Sequence, residues 1–328
     1  MFGSIVRKFA KSAYISVIKD GDTCDVCVRI LKGKREIQKD SKRFNIDTRE
    51  SSKLLYEFIG HILSKYNIFY NATIINSINQ GGVPGCDKRN FQKYEIDTTN
   101  ASVVCIDKKW SIFASNYDLE GTKKEYEDIG GLDFIFSPLV VLKNFLKQDT
   151  EEQVSLCILK QKTSATIGIF DKNSLLYSSY IILKNEQQEE EESKKKEEDI
   201  FSGESSDFEE EKLVDLDDIA LELKEDSFET LSEDGGMPGS ADISEASIES
   251  LGSDLKILEF VKTSLTQFYK HPMYESSNFV EKIIVADPYF ETKDIKNLLE
   301  NELLLPVIHK QISLCEVVSS MAIEEVLY

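Results

Sequence analysis

The stretch that most limits what this chain can become runs from Ser276 to Ile308, SSNFVEKIIVADPYFETKDIKNLLENELLLPVI. An apolar run, Ile283 to Ala286, leads into a turn carrying Pro288. Apolar residues then recur at helical spacing from about Thr292 to Leu304, and a second short apolar run follows around Val307. A strand, a helix and a returning strand of this size make a βαβ unit, so the fold class is α/β with a parallel sheet. Where such a unit binds a nucleotide, the turn after its first strand is Gly-rich, which lets backbone approach the ligand. Here the turn reads Ala286-Asp287-Pro288-Tyr289. The spacing predicts the scaffold of a nucleotide site without its phosphate chemistry.

Upstream, residues 13–19 (AYISVIK) and 24–32 (CDVCVRILK) are strand-like and joined by Asp20-Gly21-Asp22-Thr23; a third short strand is expected near Glu36 to Lys39. Asp-Gly supplies the left-handed backbone that such a turn needs. From Ser51 to Tyr66 the positions Leu54, Leu55, Phe58, Ile59, Ile62, Leu63 and Tyr66 follow helical period. Ala72 to Ile78 and Val103 to Ile106 read as strands, with Gln80-Gly81-Gly82-Val83-Pro84-Gly85 between them as a plain turn. Ser137-Pro138 predicts a capped helix start for Leu139 to Lys147. Val154 to Leu159, Ala165 to Phe170 and Leu175 to Leu183 form a second meander. Leu255 to Phe268 predicts a helix, and Ser313-Leu314-Cys315-Glu316 reads as the capping box of a last one. The order "meander, then helix" therefore occurs twice.

Charge divides the chain differently. Glu186 to Asp254 holds 26 acidic and 5 basic residues, leaving 33 acidic and 34 basic elsewhere, so the net charge of −20 resides in this one stretch. The rest is near neutral and has no basic patch, which argues against nucleic acid as a partner. The acidic stretch is too poor in apolar residues to offset chain entropy and is read as a disordered insert. Within it, Val214, Leu216, Ile219 and Leu223 fall at helical spacing, the pattern of a segment that folds on a partner; a transient helix without a partner is the plain alternative. The expected domains are 1–148, then 149–185 with 255–328, and the insert 186–254.

Six cysteines in a chain of this length do not make a disulfide scaffold. Cys105 and Cys157 lie in apolar runs and read as buried free thiols, which implies a reducing cytoplasm. Cys24 and Cys27 sit three apart on one strand, so their thiols face opposite ways and make no zinc site. His61, His271 and His309 are scattered without a Cys or Ser partner, and each reads as a partly buried, hydrogen-bonded histidine. Residues 1–12 place Phe2, Ile5, Val6 and Phe9 at helical spacing beside Arg7, Lys8 and Lys11, as a terminal helix, a subunit contact or a membrane-surface helix. No run approaches the length of a membrane span.

Several stretches carry a family likeness. MFGSIVRKF followed by a strand, LDFIFSPLVVLKNFL, TSATIGIFDKNSLLYSSYII, FVKTSLTQFYKHP and VEKIIVADPYFETKDIKNLLENELLLPV resemble, in order and spacing, the PilM-type proteins of type IV pilus and competence systems. The cytoplasmic part of GspL-type secretion proteins is also similar. The likeness leaves out the insert and residues 70–130. It implies an actin-like (ASKHA) duplicated two-domain fold. It also implies where a nucleotide site would lie: two Asp-x-Gly turns that hold Mg²⁺ and phosphates, and a Gly-Gly turn beside the adenosine. Those positions read Lys19-Asp20-Gly21, Leu159-Lys160-Gln161 and Asp287-Pro288. All three depart from the pattern, which implies a pseudo-ATPase with no catalytic residues, cofactor or metal; a site built from Asp20, Asp22 and Lys160 is the alternative. By the same resemblance the protein is a cytoplasmic scaffold, peripheral at the inner membrane. It would receive PilN-like tails of membrane partners in a cleft between its halves, and touch a motor ATPase.

Overall fold

Three consecutive strands, β1 (Lys11–Asp20), β2 (Thr23–Lys32) and β3 (Arg35–Asn45), pair antiparallel in sequence order. A two-residue turn joins the first pair, with Asp20 opposite Thr23 and Gly21 at φ +60. The computed structural model describes residues 10–46, 49–147, 149, 153–172, 174–183, 245–270, 279–290 and 294–327. The candidate helix at 1–12 lies mostly outside this set, and its residues 11 and 12 open β1. Val214, Leu216, Ile219, Leu223 and His271 also lie outside it.

Helix α1 (Arg49–Lys65) follows and covers the first sheet with Leu55 and Ile59. Strand β4 (Ile68–Ile74) then returns parallel to β1, and β8 (Phe134–Phe136) adds parallel to β4. The second half repeats this plan with β9 (Ser155–Lys160), β10 (Ser164–Asp171), β11 (Ser174–Ile182), β12 (Lys282–Asp287) and β13 (Val307–Gln311). The two sheets run β3-β2-β1-β4-β8 and β11-β10-β9-β12-β13. In each, the first three strands are antiparallel and the last two parallel. The architecture is thus duplicated, and the expected βαβ unit is β12, α6 (Asp294–Leu303) and β13.

The central strands β1, β9 and β12 are buried on both faces, as strands with parallel neighbours require. Outward from the second sheet lie α5 (Glu245–Lys270) and α6, with Ile257, Val261, Phe268, Ile295 and Leu299 buried. Between the sheets lie α4 (Pro138–Phe145) and the last helix, α7 (Leu314–Leu327), in one apolar cluster that takes in Tyr14 and Ile18 as well as Cys157, Leu159, Ile284 and Ala286. Ser137 caps α4 as expected, accepting from the Leu139 amide at 3.3 Å. The two halves therefore share one core at the floor of whatever lies between them. The chain divides into two compact units, residues 1–184 with 251–328, and residues 185–250. Of the second, only 245–250, the first turns of α5, are among the described residues.

Three expectations need correction here. Gln80–Pro84 is a strand, β5, and not a plain turn. With β7 (Trp110–Ser115) and β6 (Ala101–Ile106) it forms a small third sheet ordered β5-β7-β6, accompanied by α2 (Lys88–Lys93) and α3 (Asn116–Glu125). The glycines mislead because of close approach: the Gly82 amide donates to Ser178 Oγ on β11 at 2.8 Å, and a Cβ there would lie 2.5 Å from Leu175 Cδ2. Second, Cys105 is not a free thiol. It is bonded to Cys86 across 5.4 Å between Cα atoms, which removes the ground in cysteine usage for a reducing compartment. Third, Ser313 and Glu316 do not make the reciprocal bonds of a capping box: the Ser313 hydroxyl lies 3.6 Å from the Cys315 thiol, and Glu316 pairs with Lys39 at 2.7 Å. Among the described residues no helix is long and apolar enough to cross a membrane.

Candidate functional site

The β1–β2 turn of the first half and the β9–β10 turn of the second half face each other, because β1 and β9 are the central strands of the duplicated sheets. At the end of β1, Asp20 is 2% exposed and makes four hydrogen bonds. Its Oδ2 accepts from the Lys162 amide at 2.8 Å and from the Tyr289 hydroxyl at 2.8 Å. Its Oδ1 accepts from the Thr163 amide at 2.9 Å and the Thr163 hydroxyl at 2.8 Å. Successive backbone N–H groups at a turn form a ready cradle for an anion. Here the anion is a side chain from the other half.

Further contacts close the same mouth. Lys162 Nζ lies 3.0 Å from Asp22 Oδ1, and both the Lys162 ammonium and the Arg43 guanidinium sit over the Tyr289 ring, at 5.0 and 4.8 Å. Burial first, and then the neighbouring Asp20 charge, push the Tyr289 phenol above its ordinary range, so it stays protonated and donates. Gly21 brings its Cα close to the second turn, where a Cβ would lie 3.3 Å from Thr163 Cγ2.

Of the degenerate positions, Asp20, Gly21 and Asp287-Pro288 lie at this mouth, while Leu159-Lys160-Gln161 do not form the facing turn. Leu159 is fully buried in the shared core. Lys160 forms an ion pair with buried Asp254 of α5. Gln161 is buried, and its amide donates to the Ser164 carbonyl at 2.9 Å. The turn itself is Lys162-Thr163, displaced from the expected site because β9 runs on to Lys160. Lys19, the lysine expected to meet phosphate, lies with its ammonium 4.7 Å over the Tyr126 ring. Asp22 does converge on the mouth, but it faces Lys162 and not Lys160.

The third element is filled as well. Asp287 Oδ1 accepts from the Tyr289 and Phe290 amides at 2.8 and 2.9 Å, and Oδ2 lies 3.2 Å from His309 Nε2. Phe290, just past the Asp287-Pro288 pair where the likeness expects glycines, has φ +51, and its ring packs 4.3 Å from the His309 ring. Burial alone pushes the Asp287 carboxyl up; the His309 contact, the two amides and Lys160 outweigh it and hold the group below its ordinary value. Asp254 differs: burial wins over Lys160, and its carboxyl is raised. His309 is buried with a carboxylate partner, whereas His61 is exposed on α1, against expectation. Thr163, Tyr289, His309 and Asp254 were not singled out by sequence. Only the position of Tyr289, next to Asp-Pro in a predicted turn, offered a signal.

An ATP–Mg²⁺ site of the actin-like kind does not fit these residues. The amides that would meet phosphate are satisfied by Asp20, and Pro288 with Phe290 fills the expected glycine turn. A peptide entering between the halves meets the same bridged mouth.

Family models match two stretches: a domain of unknown function, DUF8569, over residues 9–143, and a second domain of unknown function, DUF8341, over residues 156–327, just over half of the chain. The chain belongs to the DUF8341 family. Asp20 lies in the DUF8569 stretch, while Lys162, Thr163, Asp287, Tyr289 and His309 lie in the DUF8341 stretch, so the bridge joins the two. Comparison with curated proteins returned no match. Among solved structures, a Bacteroides thetaiotaomicron protein with actin-like ATPase fold and unknown function is similar at a TM-score of 0.51 and 9% identity, over 98% of this chain and 99% of that one. The PilM–PilN type IV pilus biogenesis complex is similar at a TM-score of 0.53 and 10% identity, over 95% and 94%. At such identities the likeness shows the fold alone: this DUF8341 chain has an actin-like ATPase fold.

Proposed function

We propose that the protein is a non-enzymatic scaffold, a pseudo-ATPase that binds the tails of membrane proteins in an inner-membrane assembly platform. Platforms of this kind serve type IV pili, competence or type II secretion, and PilN-like tails and the platform's motor ATPase are the partners in this reading. The protein works on the cytoplasmic side, held at the membrane through those partners. One observation carries the proposal: a buried carboxylate, Asp20, occupies the amide cradle of the opposite hairpin. A triphosphate would have to displace a satisfied charge that belongs to the protein, and displacement leaves that charge unpaired. The two halves then act as one rigid body, suited to presenting a surface.

The rival reading is a divergent ATPase, and it draws on the gathering of Asp20, Asp22 and Lys162 at one mouth. Calorimetric titration of the full chain with ATP and Mg²⁺ separates the two. The scaffold reading expects no saturable binding below millimolar nucleotide. Micromolar binding that Asp20→Ala or Lys162→Ala abolishes would overturn it. Capture from the native cell envelope, with and without residues 186–244, which leaves α5 whole, assigns the partner surface; loss of every membrane partner on deletion moves the binding to the insert.

A further inference from the structure

Four cysteines remain outside the Cys86–Cys105 disulfide: Cys24, Cys27, Cys157 and Cys315, all buried. Two of them meet, although they come from opposite ends of the chain. Alternation along β2 sends Cys24 to the outer core with Val26, and Cys27 to the shared core with Leu31. Cys315 lies in the first turn of α7, in the same core. One hydroxyl ties both main chains: Ser16 Oγ donates to the Cys315 carbonyl at 2.5 Å and lies 3.4 Å from the Cys27 carbonyl. The two side chains interact within this patch. Ser319 Oγ stands 3.6 Å from Cys27 Sγ, and Ser313 Oγ stands 3.6 Å from Cys315 Sγ. Around this patch Arg29 donates to Ser320 at 2.6 Å, and Lys39 pairs with Glu316 at 2.7 Å, holding α7 over β2.

The surroundings make the pair unequal. The neighbouring Cys315 thiol, and then Ser41 and Ser319, hold Cys27 below the usual thiol value despite burial. Cys315 is pushed up, first by the Cys27 contact and then by burial. Burial moves Cys24 and Cys157 upward as well, Cys24 to about 12. A thiolate is the attacking species, so oxidation is directed to Cys27, with Cys315 adjacent to resolve it.

We propose that Cys27 and Cys315 form a reversible dithiol–disulfide site, oxidised by a peroxide, that staples helix α7 to the sheet of the first half. The Cys27 sulfur attacks a peroxide oxygen; the O–O bond breaks, and the departing hydroxide takes up a proton as water, leaving a sulfenic acid. The Cys315 sulfur then attacks that sulfur; the S–O bond breaks, and a second water leaves with the Cys315 proton. Two thiols are oxidised to one disulfide, and one hydrogen peroxide is reduced to two waters. Access requires local opening of the C-terminal helix, the kind of sub-global motion that terminal elements undergo. Because α7 shares its core with both sheets, the staple fixes the arrangement of the two halves.

The test uses the full chain, freed of reductant, treated with a small excess of hydrogen peroxide and digested without reduction. Mass spectrometry is expected to find the Cys27–Cys315 linked peptide in preference to any product at Cys24 or Cys157. The melting temperature should rise by about 5 °C, because the cross-link closes most of the chain into a loop. In Cys315→Ser, Cys27 should instead accumulate as sulfenic acid that dimedone labels, and the thermal shift should vanish. Should that variant fail to fold, the wild-type peptide map decides alone. Peroxide consumption by folded wild-type protein without the linked peptide overturns the proposal, as does equal oxidation of Cys24 and Cys157.

Discussion

The two halves share a strand order and differ at the turn each brings to the other. In the first half, β1 ends in Asp20-Gly21-Asp22 and offers a carboxylate. In the second, β9 ends at Lys160, and the turn Lys162-Thr163 that follows offers amides and a hydroxyl. A turn that gives only acceptors and a turn that gives only donors complete each other without a third component. Two hairpins of like topology thus carry complementary groups. In a pair that both retained acid and glycine, the shared need would be a cation and a phosphate.

The largest expected effect comes from deleting the acceptor. Asp20→Ala leaves the Lys162 and Thr163 amides and the Tyr289 hydroxyl without a partner, and a buried unsatisfied donor costs about 1–3 kcal/mol. Water reaches part of the gap, because both Lys162 and Thr163 are partly exposed, so a loss of about 3 kcal/mol is expected by urea denaturation. Asp20→Asn, which keeps an acceptor oxygen, should lose less. A loss below about 0.5 kcal/mol in Asp20→Ala would mean that the halves are held by the floor alone.

Within the second half, two buried carboxylates give opposite pH slopes. Asp287 is held below its ordinary value, so its contribution is present above about pH 4 and is lost as pH falls through the folded value. Asp254 is raised, so the folded protein binds its proton more tightly; stability from it is present in acid and is lost as pH rises from about 4 through the folded value. Denaturation midpoints between pH 3 and 7 are the measurement. Asp287→Asn should flatten the acid limb, and Asp254→Asn should flatten the decline above it. Equal slopes in both variants would show that Lys160 and His309 do not distinguish the two sites.

Much of this half-to-half symmetry was legible in advance. Both meanders, the βαβ unit and the helices α1 and α4 follow from period and caps, since one-sided burial writes a repeat into the sequence; α7 forms where it was expected, but without the capping box that marked it. Three features escaped for physical reasons. Strand β5 looks like a turn because its glycines answer to a neighbour, Leu175, that is distant in sequence. The long edge strand β3 is exposed along nearly all of its length, so no alternation marks it beyond the stretch near Glu36 to Lys39. The facing turn was placed at Leu159-Lys160-Gln161, because nothing local says that Leu159 and Gln161 are buried; Lys160 is held by Asp254, at the far end of the acidic stretch. The mouth was legible as departure from a pattern, but its closure was not, because Asp20 and Thr163 meet only in the folded sheet pair.

The smallest expected effect tests whether the two turns are in contact or merely near. Gly21 has φ +60, and a side chain in that left-handed region costs about 1 kcal/mol. Its missing Cβ also leaves room for Thr163 Cγ2, at 3.3 Å from where that atom would stand. Gly21→Ala therefore combines a backbone cost that belongs to the first turn with a crowding cost that belongs to the pair. A double-mutant cycle separates them. In an Asp20→Ala background Thr163 is free to move aside, so the crowding part should disappear and only the backbone cost remain. Full additivity would place the whole cost in the first turn, and the two hairpins would then be joined by the Asp20 carboxylate without steric fit between them.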